Sequence, residues 1–290
     1  MSLEKPSPCK VNLLLNILGK RPDGFHELET VLHPVSLCDV LTFERNASEV
    51  ALTCSDATLP VDSRNLVHRA ATAFLSAAGI GDGVKIHLEK KIPLAAGLGG
   101  GSGNAATTLL GLNEMFGSPL PLEKLTELAA ALGSDIPFFL QRNPALATGR
   151  GEKIQPLEPF PALRRMVFFL IHPGFGISTP WAYKNLARFP EALKGRAGRA
   201  QQLVAKLRGS DLHAAGKEFY NSLEAPAFDK YPLLVLFQEF LRSQGAAVAL
   251  MSGSGSTTFA IVEGMKVAET LREKFLNKFS PTCWTALVPA

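Results

Sequence analysis

A lysine inside an apolar strand, an aspartate ahead of a proline and a run of glycines between them in the chain are the residues of this sequence with chemistry to offer. Lys10 sits in PCKVNLLLNI, residues 8–17, where Cys9, Val11 and Leu13 alternate with Lys10, Asn12 and Leu14. One face of such a strand presents an ammonium beside an amide, a pair suited to an anion. Asp135 lies in Gly-Ser-Asp-Ile-Pro-Phe-Phe, residues 133–139, just past a helix and before a proline, where an aspartate is most often a turn or cap residue. Between them runs PLAAGLGGGSGNAATTLLGLNEMFG, residues 93–117, with glycine at 97, 99, 100, 101 and 103. Without a Cβ the backbone curls and several N–H groups converge, and a helix that follows adds the positive end of its dipole. That combination cradles phosphate. Each of the three has a plain use: an edge lysine turned to water, a turn aspartate, a flexible loop. Taken singly, the residues do not choose.

The elements that would position these parts follow from periodicity. An apolar run, Val84 to Leu88, reads as a strand, and from Asn104 the spacing turns helical, so the cradle is strand, glycine loop, helix. Walker A is excluded, because no lysine occurs between Lys91 and Lys124. A dinucleotide fingerprint forced onto Gly101, Gly103 and Ala106 lacks the acidic strand end that should follow about 20 residues on. Ahead of the cradle, a Pro-Asp-Gly turn leads to Phe25 and His26 and then to two strand-like runs, 28–35 and 39–43. Residues 64–78 are helical, with Ser63 or Asn65 as cap, and Lys90 lies where strand 84–89 enters the loop, in reach of either water or nucleotide. A helix over 122–132 ends at Gly133.

Two short strands around Arg150-Gly151 precede a proline cluster at 156, 159 and 161, which marks a domain boundary near residue 155 and divides the chain into 1–155 and 156–290. The second part opens with a buried strand, 166–171, and a helix beginning through Thr179, Trp181 and Tyr183. Residues 188–200, basic and glycine-bearing, read as a mobile surface loop. Helices at 199–207, 210–218 and 229–243 follow. Then come a strand, a Ser-Gly-Ser-Gly-Ser turn and a strand over 246–262, a helix over 264–277 and a strand over 282–288.

With 290 residues, 46% of them hydrophobic and 19% charged, the chain has ample material for a globular core. Net charge is +4 with no basic block beyond the Lys90-Lys91 and Arg164-Arg165 pairs, which speaks against nucleic acid and suits an anionic small molecule. Cys9, Cys38, Cys54 and Cys283 are scattered, so neither a metal site nor a disulfide scaffold is expected. The apolar stretches fall short of a membrane span and the N-terminus lacks a signal-peptide core, so the expected setting is cytoplasmic, with no membrane partner.

The loop P-x-x-x-G-L-G-G-G-S running into a helix resembles the phosphate loop of the GHMP kinases, the superfamily of galactokinase, homoserine kinase and mevalonate kinase. Three more stretches carry the same resemblance in order. The first is P-x-K-x-N-L-x-L-x-I-x-G-x-R-x-D-G-[FY]-H-E-L-x-T from Pro8 to Thr30, and the second is L-G-x-D-[IV]-P-[FV]-F around Asp135. The third is [ML]-S-G-[ST]-G-[SGA] from Met251, and HPGFGISTPWAYKNL after the second-half strand is similar as well. The Asp-Gly-Phe-His turn is the specific part: it resembles the GHMP branch that phosphorylates a cytidylyl methylerythritol diphosphate in the non-mevalonate isoprenoid route.

The resemblance implies a two-domain α+β fold, ribosomal-protein-S5-like then ferredoxin-like, with the active site between domains, and ATP with Mg²⁺ as cofactors. It assigns Asp135 as catalytic base and Lys10 as the cation that stabilises it and the transferring charge. Nucleotide would be held by Asn65, Lys90, Pro93, Leu94, Ala95, Ala96, Gly97, Leu98, Gly99, Gly100, Gly101, Ser102, Gly103 and Asn104. Capping remains a second use for Asn65. Acceptor recognition would fall to Asn12, Phe25, His26, Thr179 and Tyr183, the cytosine lying between Phe25 and Tyr183 with His26 at its edge; ordinary helix packing remains a second use for Tyr183. No side-chain metal site is implied, and a monomer or homodimer is expected. A homoserine or mevalonate-type kinase, or a silent nucleotide-binding relative, are the alternatives. Phe25 stands where tyrosine is common, Cys9 where alanine is usual and Gly103 where serine is usual.

Overall fold

The structure, a computed structural model, describes residues 2–290. Two long strands begin the chain, β1 (Ser2–Lys20) and β2 (His26–Asn46). The Pro-Asp-Gly turn joins them: Gly24 takes a left-handed φ of 85°, and the Arg21 amide donates to the Phe25 carbonyl at 2.8 Å. The two runs expected at 28–35 and 39–43 form one strand. Its halves pair with different partners, and Pro34, which has no N–H to give, falls between the two registers.

The chain packs as two compact units, each drawn from several stretches. One gathers residues through Cys9, Leu37–Pro93 and Gly99–Arg142; the other gathers Lys10–Ser36, Leu94–Leu98 and Asn143–Ala290. Residue 155, near the boundary expected from the proline cluster, lies within the second unit, in a strand hairpin that pairs with the first half of β2.

In the first unit β3 (Val50–Cys54) runs parallel to β4 (Gly83–Glu89), which pairs antiparallel with Val40–Asn46 of β2. Between β3 and β4 comes α1 (Leu66–Ala78), capped by the Asn65 side chain, which accepts from the Val67 amide at 2.9 Å; Gly79 closes it in a left-handed conformation. After the glycine loop come α2 (Gly100–Met115) and α3 (Leu122–Leu132), the latter stopping at Gly133 as expected. Phe43, Phe74, Leu109 and Leu112 are fully buried here. Gly111 of α2 lets Phe43 approach, since a Cβ there would stand 2.8 Å from the ring.

The second unit holds the hairpin β5 (Ala145–Gly149) and β6 (Lys153–Pro156), then β7 (Met166–His172), α4 (Thr179–Asn185), α5 (Pro190–Leu193), α6 (Arg199–Leu207) and α7 (Leu212–Ala215). After these come β8 (Tyr220–Asn221), α8 (Glu224–Lys230), α9 (Leu233–Ser243), β9 (Val248–Met251), β10 (Thr258–Glu263), α10 (Met265–Lys278) and β11 (Trp284–Pro289). An antiparallel sheet in the order β11-β7-β10-β9 carries a core that includes Phe169, Phe237 and Phe275. The helix expected over 229–243 is two helices, because Pro232 has no N–H to continue a ladder through that point. The helix expected over 210–218 is the single turn of α7 followed by a 3₁₀ turn.

The stretch 188–200, expected as a mobile loop, is tied down. The Gly195 amide donates to Ile17 at 2.7 Å, the Asn16 amide donates to the Arg196 carbonyl at 2.7 Å, and Glu29 accepts from the Gly198 and Ala200 amides at 3.2 and 3.0 Å. A Cβ on Gly195 would lie 2.0 Å from Asn16 Oδ1, so that glycine serves close approach.

Candidate active site

The glycine loop is shared between the units, Leu94–Leu98 belonging to the second and Gly99 onward to the first. In the first unit α2 starts at Gly100, four residues before the expected Asn104. Gly99 enters it with a left-handed φ of 69°, and the Gly103 amide donates to the Gly99 carbonyl at 2.8 Å. The amides of Gly100, Gly101 and Ser102 therefore precede the helical ladder and carry the positive end of the dipole. Gly101 is exposed and Ser102 half-buried, and a Cβ on Gly101 would meet nothing nearer than Leu66 at 3.8 Å. This opening fits phosphate. Gly103 does another job: a Cβ there would stand 2.5 Å from the Pro8 carbonyl.

Lys90 is not a solvated strand end. Its side chain is 6% exposed, and the ammonium pairs with the fully buried carboxylate of Asp39 and donates to Asn104 Oδ1 at 3.2 Å. The same aspartate accepts from the Lys91 and Ile92 amides at 2.7 and 2.9 Å and from Asn104 Nδ2 at 2.9 Å, and Asn104 Nδ2 also donates to Ser7 Oγ at 2.9 Å. Lys90 and Asn104, expected at the nucleotide, thus spend their polar atoms on the entry to the loop. Asn65 likewise uses its amide on the Pro60 carbonyl at 2.7 Å as well as on its cap. Asp135 stands half-buried in the turn after α3, where the Ile136 amide donates to Gly133 at 3.2 Å and a 3₁₀ turn, Pro137–Leu140, follows.

In the second unit Lys10 is 3% exposed, which overturns the reading of an edge lysine facing water. Its ammonium donates to Asn12 Oδ1 at 2.5 Å and to the Gly97 carbonyl at 2.8 Å. Asn12 is held in turn by its Nδ2 donating to Thr30 Oγ1 at 2.9 Å. Ser252 Oγ donates to the same Gly97 carbonyl at 3.0 Å, and the Thr257 amide donates to Ala96 at 3.2 Å, so the Ser-Gly-Ser-Gly-Ser turn grips this part of the loop. Gly97 has no substitute here, with φ 76° and a Cβ position 2.0 Å from the Ser252 carbonyl. Asn221 Nδ2 steadies the turn by donating to the Met251 and Gly253 carbonyls at 2.8 and 2.7 Å.

The residues expected at the acceptor, Asn12, Phe25, His26, Thr179 and Tyr183, all belong to the second unit. The rings of His26 and Tyr183 lie 5.1 Å apart at 38°. Partial burial, with a smaller push from the Lys20 charge, lowers the His26 pKa and favours the neutral ring. Phe25 is 51% exposed, with the Arg150 guanidinium 4.6 Å from its centroid. Thr179 Oγ1 and Ser254 Oγ are 2.9 Å apart, joining the start of α4 to the serine turn.

Asp39, Thr30, Asn221 and Arg150 have roles that no local motif signals. Asp39 reads in the sequence as one acid between strand runs, and its partners lie more than 50 residues on. Among the described residues, no group of three or more His, Cys, Asp or Glu side chains could hold a metal ion, and no helix is long and apolar enough to cross a membrane.

The chain is a kinase of the GHMP class. The profile of the GHMP kinases N terminal domain matches residues 65–143, and that of the GHMP kinases C terminal matches residues 200–281. Over 287 residues the chain is 39% identical to a 4-diphosphocytidyl-2-C-methyl-D-erythritol kinase of Protochlamydia amoebophila, covering 98% of this chain and 93% of the relative. It is 41% identical over 285 residues to the enzyme of that name from Methylacidiphilum infernorum, covering 97% and 94%. A crystal structure of a 4-(cytidine 5'-diphospho)-2C-methyl-D-erythritol kinase superposes with a TM-score of 0.81 at 36% identity, covering 99% of this chain and all of that one. The chain belongs to the 4-diphosphocytidyl-2-C-methyl-D-erythritol kinase family.

Proposed function

We propose that this chain transfers a phosphoryl group from ATP to the 2-hydroxyl of 4-diphosphocytidyl-2-C-methyl-D-erythritol, a step of the non-mevalonate route to isoprenoid precursors. The observation that carries the reading is the buried Lys10 ammonium bonded to the Gly97 carbonyl of the glycine loop in a chain of this family. ATP would supply the phosphoryl group, and Mg²⁺, when bound, would neutralise part of its charge. The loop amides, up to that of Ser102, would hold phosphate oxygens, and the Ser102 hydroxyl would be a further ligand for a phosphate oxygen or the metal.

Asp135 takes the proton of the acceptor hydroxyl as general base. Lys10 places a fixed positive charge where negative charge gathers on the transferred group, and its bond to Asn12 keeps that charge oriented. Phe25 and Tyr183 offer aromatic faces to the cytosine, a neutral His26 offers its ring nitrogens to the base edge, and Thr179 lies at the acceptor end. Asn65, Lys90 and Asn104 serve the nucleotide by shaping the chain around it. The enzyme acts in the cytoplasm, as a monomer or homodimer.

The test is ADP release with Mg-ATP and either the cytidylyl acceptor, homoserine or mevalonate. Turnover confined to the cytidylyl acceptor is expected; turnover only with another would discard the acceptor assignment. Asp135→Asn is expected to abolish turnover while ATP still binds, as read by nucleotide titration of the variant. An Asp135→Asn enzyme keeping activity within about tenfold of wild type would remove Asp135 as the base.

A further inference from the structure

Phe25 is the least supported of the aromatic acceptor residues, and what supports it is a cation. It follows the Pro-Asp-Gly turn, where its amide donates to Asp23 Oδ1 at 3.1 Å, and half of its surface faces solvent. His26, the next residue, leans on Tyr183. Phe25 has instead the guanidinium of Arg150, whose Cζ is 4.6 Å from the ring centroid. Arg150 is itself fixed at the tip of the β5–β6 hairpin: its amide donates to Glu152 Oε2 at 2.7 Å, and that carboxylate lies 4.0 Å from its Nε. The turn of the hairpin follows Gly149, the last residue of β5, which has φ 74°. Arg21, paired with Asp23 and Glu27 at 3.1 and 2.5 Å, fixes the other side of the turn. A planar cation over an aromatic face covers that face and stiffens the ring.

We propose that Arg150 is a positioning residue for the acceptor: its guanidinium covers one face of Phe25 and presents the other to the pyrimidine ring of the substrate. The result is a three-layer stack of guanidinium, phenyl and base. The inference rests on the acceptor reading above and adds a residue to it from outside the turn. The hairpin thereby contributes to acceptor affinity without touching the reacting atoms, so its effect belongs in KM and not in kcat. Phenylalanine suffices at position 25 because the stack uses the ring and not a hydroxyl.

The experiment measures kcat and KM for the cytidylyl acceptor and for ATP in wild type, Arg150→Met, Phe25→Leu and the double variant, with melting temperatures alongside. Arg150→Met keeps the hydrophobic length and removes the planar cation. It is expected to raise acceptor KM about two- to fivefold, the range for a partly exposed cation–π contact. ATP KM, kcat and the melting temperature should hold. In the Phe25→Leu background the Arg150 substitution should add nothing to KM, because its effect passes through the ring. An unchanged acceptor KM, or the same increment with and without Phe25, overturns the proposal while leaving the kinase assignment standing. A wild type that ignores the cytidylyl acceptor overturns both.

Discussion

Replacing Asp39 by asparagine tests whether the entry to the phosphate loop depends on one buried carboxylate. The carboxylate is 0% exposed and receives the Lys91 and Ile92 amides on Oδ1 and Lys90 Nζ and Asn104 Nδ2 on Oδ2. Asparagine has the same shape but brings an NH₂ group. With the amide nitrogen in the Oδ2 place it faces an ammonium and another amide donor; flipped, it faces two backbone N–H groups. No orientation satisfies the site, and Lys90, 6% exposed, is left as a buried charge without its counter-ion. Breaking a buried pair from one side costs about 3–5 kcal/mol. For a chain of this size that corresponds to a fall in melting temperature on the order of 10 °C.

Thermal and urea unfolding of Asp39→Asn against wild type give the number, and ATP KM reads the effect on the loop that follows Ile92. Adding Lys90→Met removes the stranded charge and should recover part of the loss. A loss under about 1 kcal/mol, the scale of an ordinary exposed pair, would refute the reasoning. So would additive losses on combining the two substitutions.

Two further substitutions probe the chain away from that carboxylate. Gly103→Ser places a Cβ 2.5 Å from the Pro8 carbonyl, so it should lower stability by about 1–3 kcal/mol with no gain in ATP affinity. Equal melting temperatures would refute that. Glu224 is raised by burial from 4.5 to about 7, against the pull of the Met251 amide and the Gln238 side chain, both of which donate to Oε1. The folded chain therefore holds this proton more tightly than the unfolded one. The stability it lends is complete below about pH 4.5 and is lost as pH rises through about 7. Glu224→Gln removes the titration, so relative to wild type the variant should gain on the order of 3 kcal/mol between pH 4.5 and pH 8 in urea unfolding. Parallel profiles would show that the carboxyl is not buried as the fold has it.

Motifs made of consecutive residues are legible in the sequence itself. The cradle, the turn before Phe25, the cap at Asn65 and the stop at Gly133 each depend on local backbone geometry, which a few neighbouring residues determine. What stays hidden depends on partners far along the chain. Alternation in β1 allows Lys10 to face water, because a period of two separates the faces of a strand without saying what covers them; the Gly97 carbonyl that accepts from the buried ammonium is 87 residues away. Asp39 and Arg150 carry no local signal for the same reason.

Glycine itself misleads, since one residue type serves several physical needs. Gly99 supplies a left-handed entry to α2, Gly101 leaves space open, and Gly103 and Gly195 admit a neighbouring backbone or side chain. On the proposed function, only the first two bear directly on phosphate. A glycine count therefore overstates the cradle and understates the packing that holds it in place. Substitutions at Gly101 and Gly103 should accordingly separate, the first acting through nucleotide affinity and the second through stability.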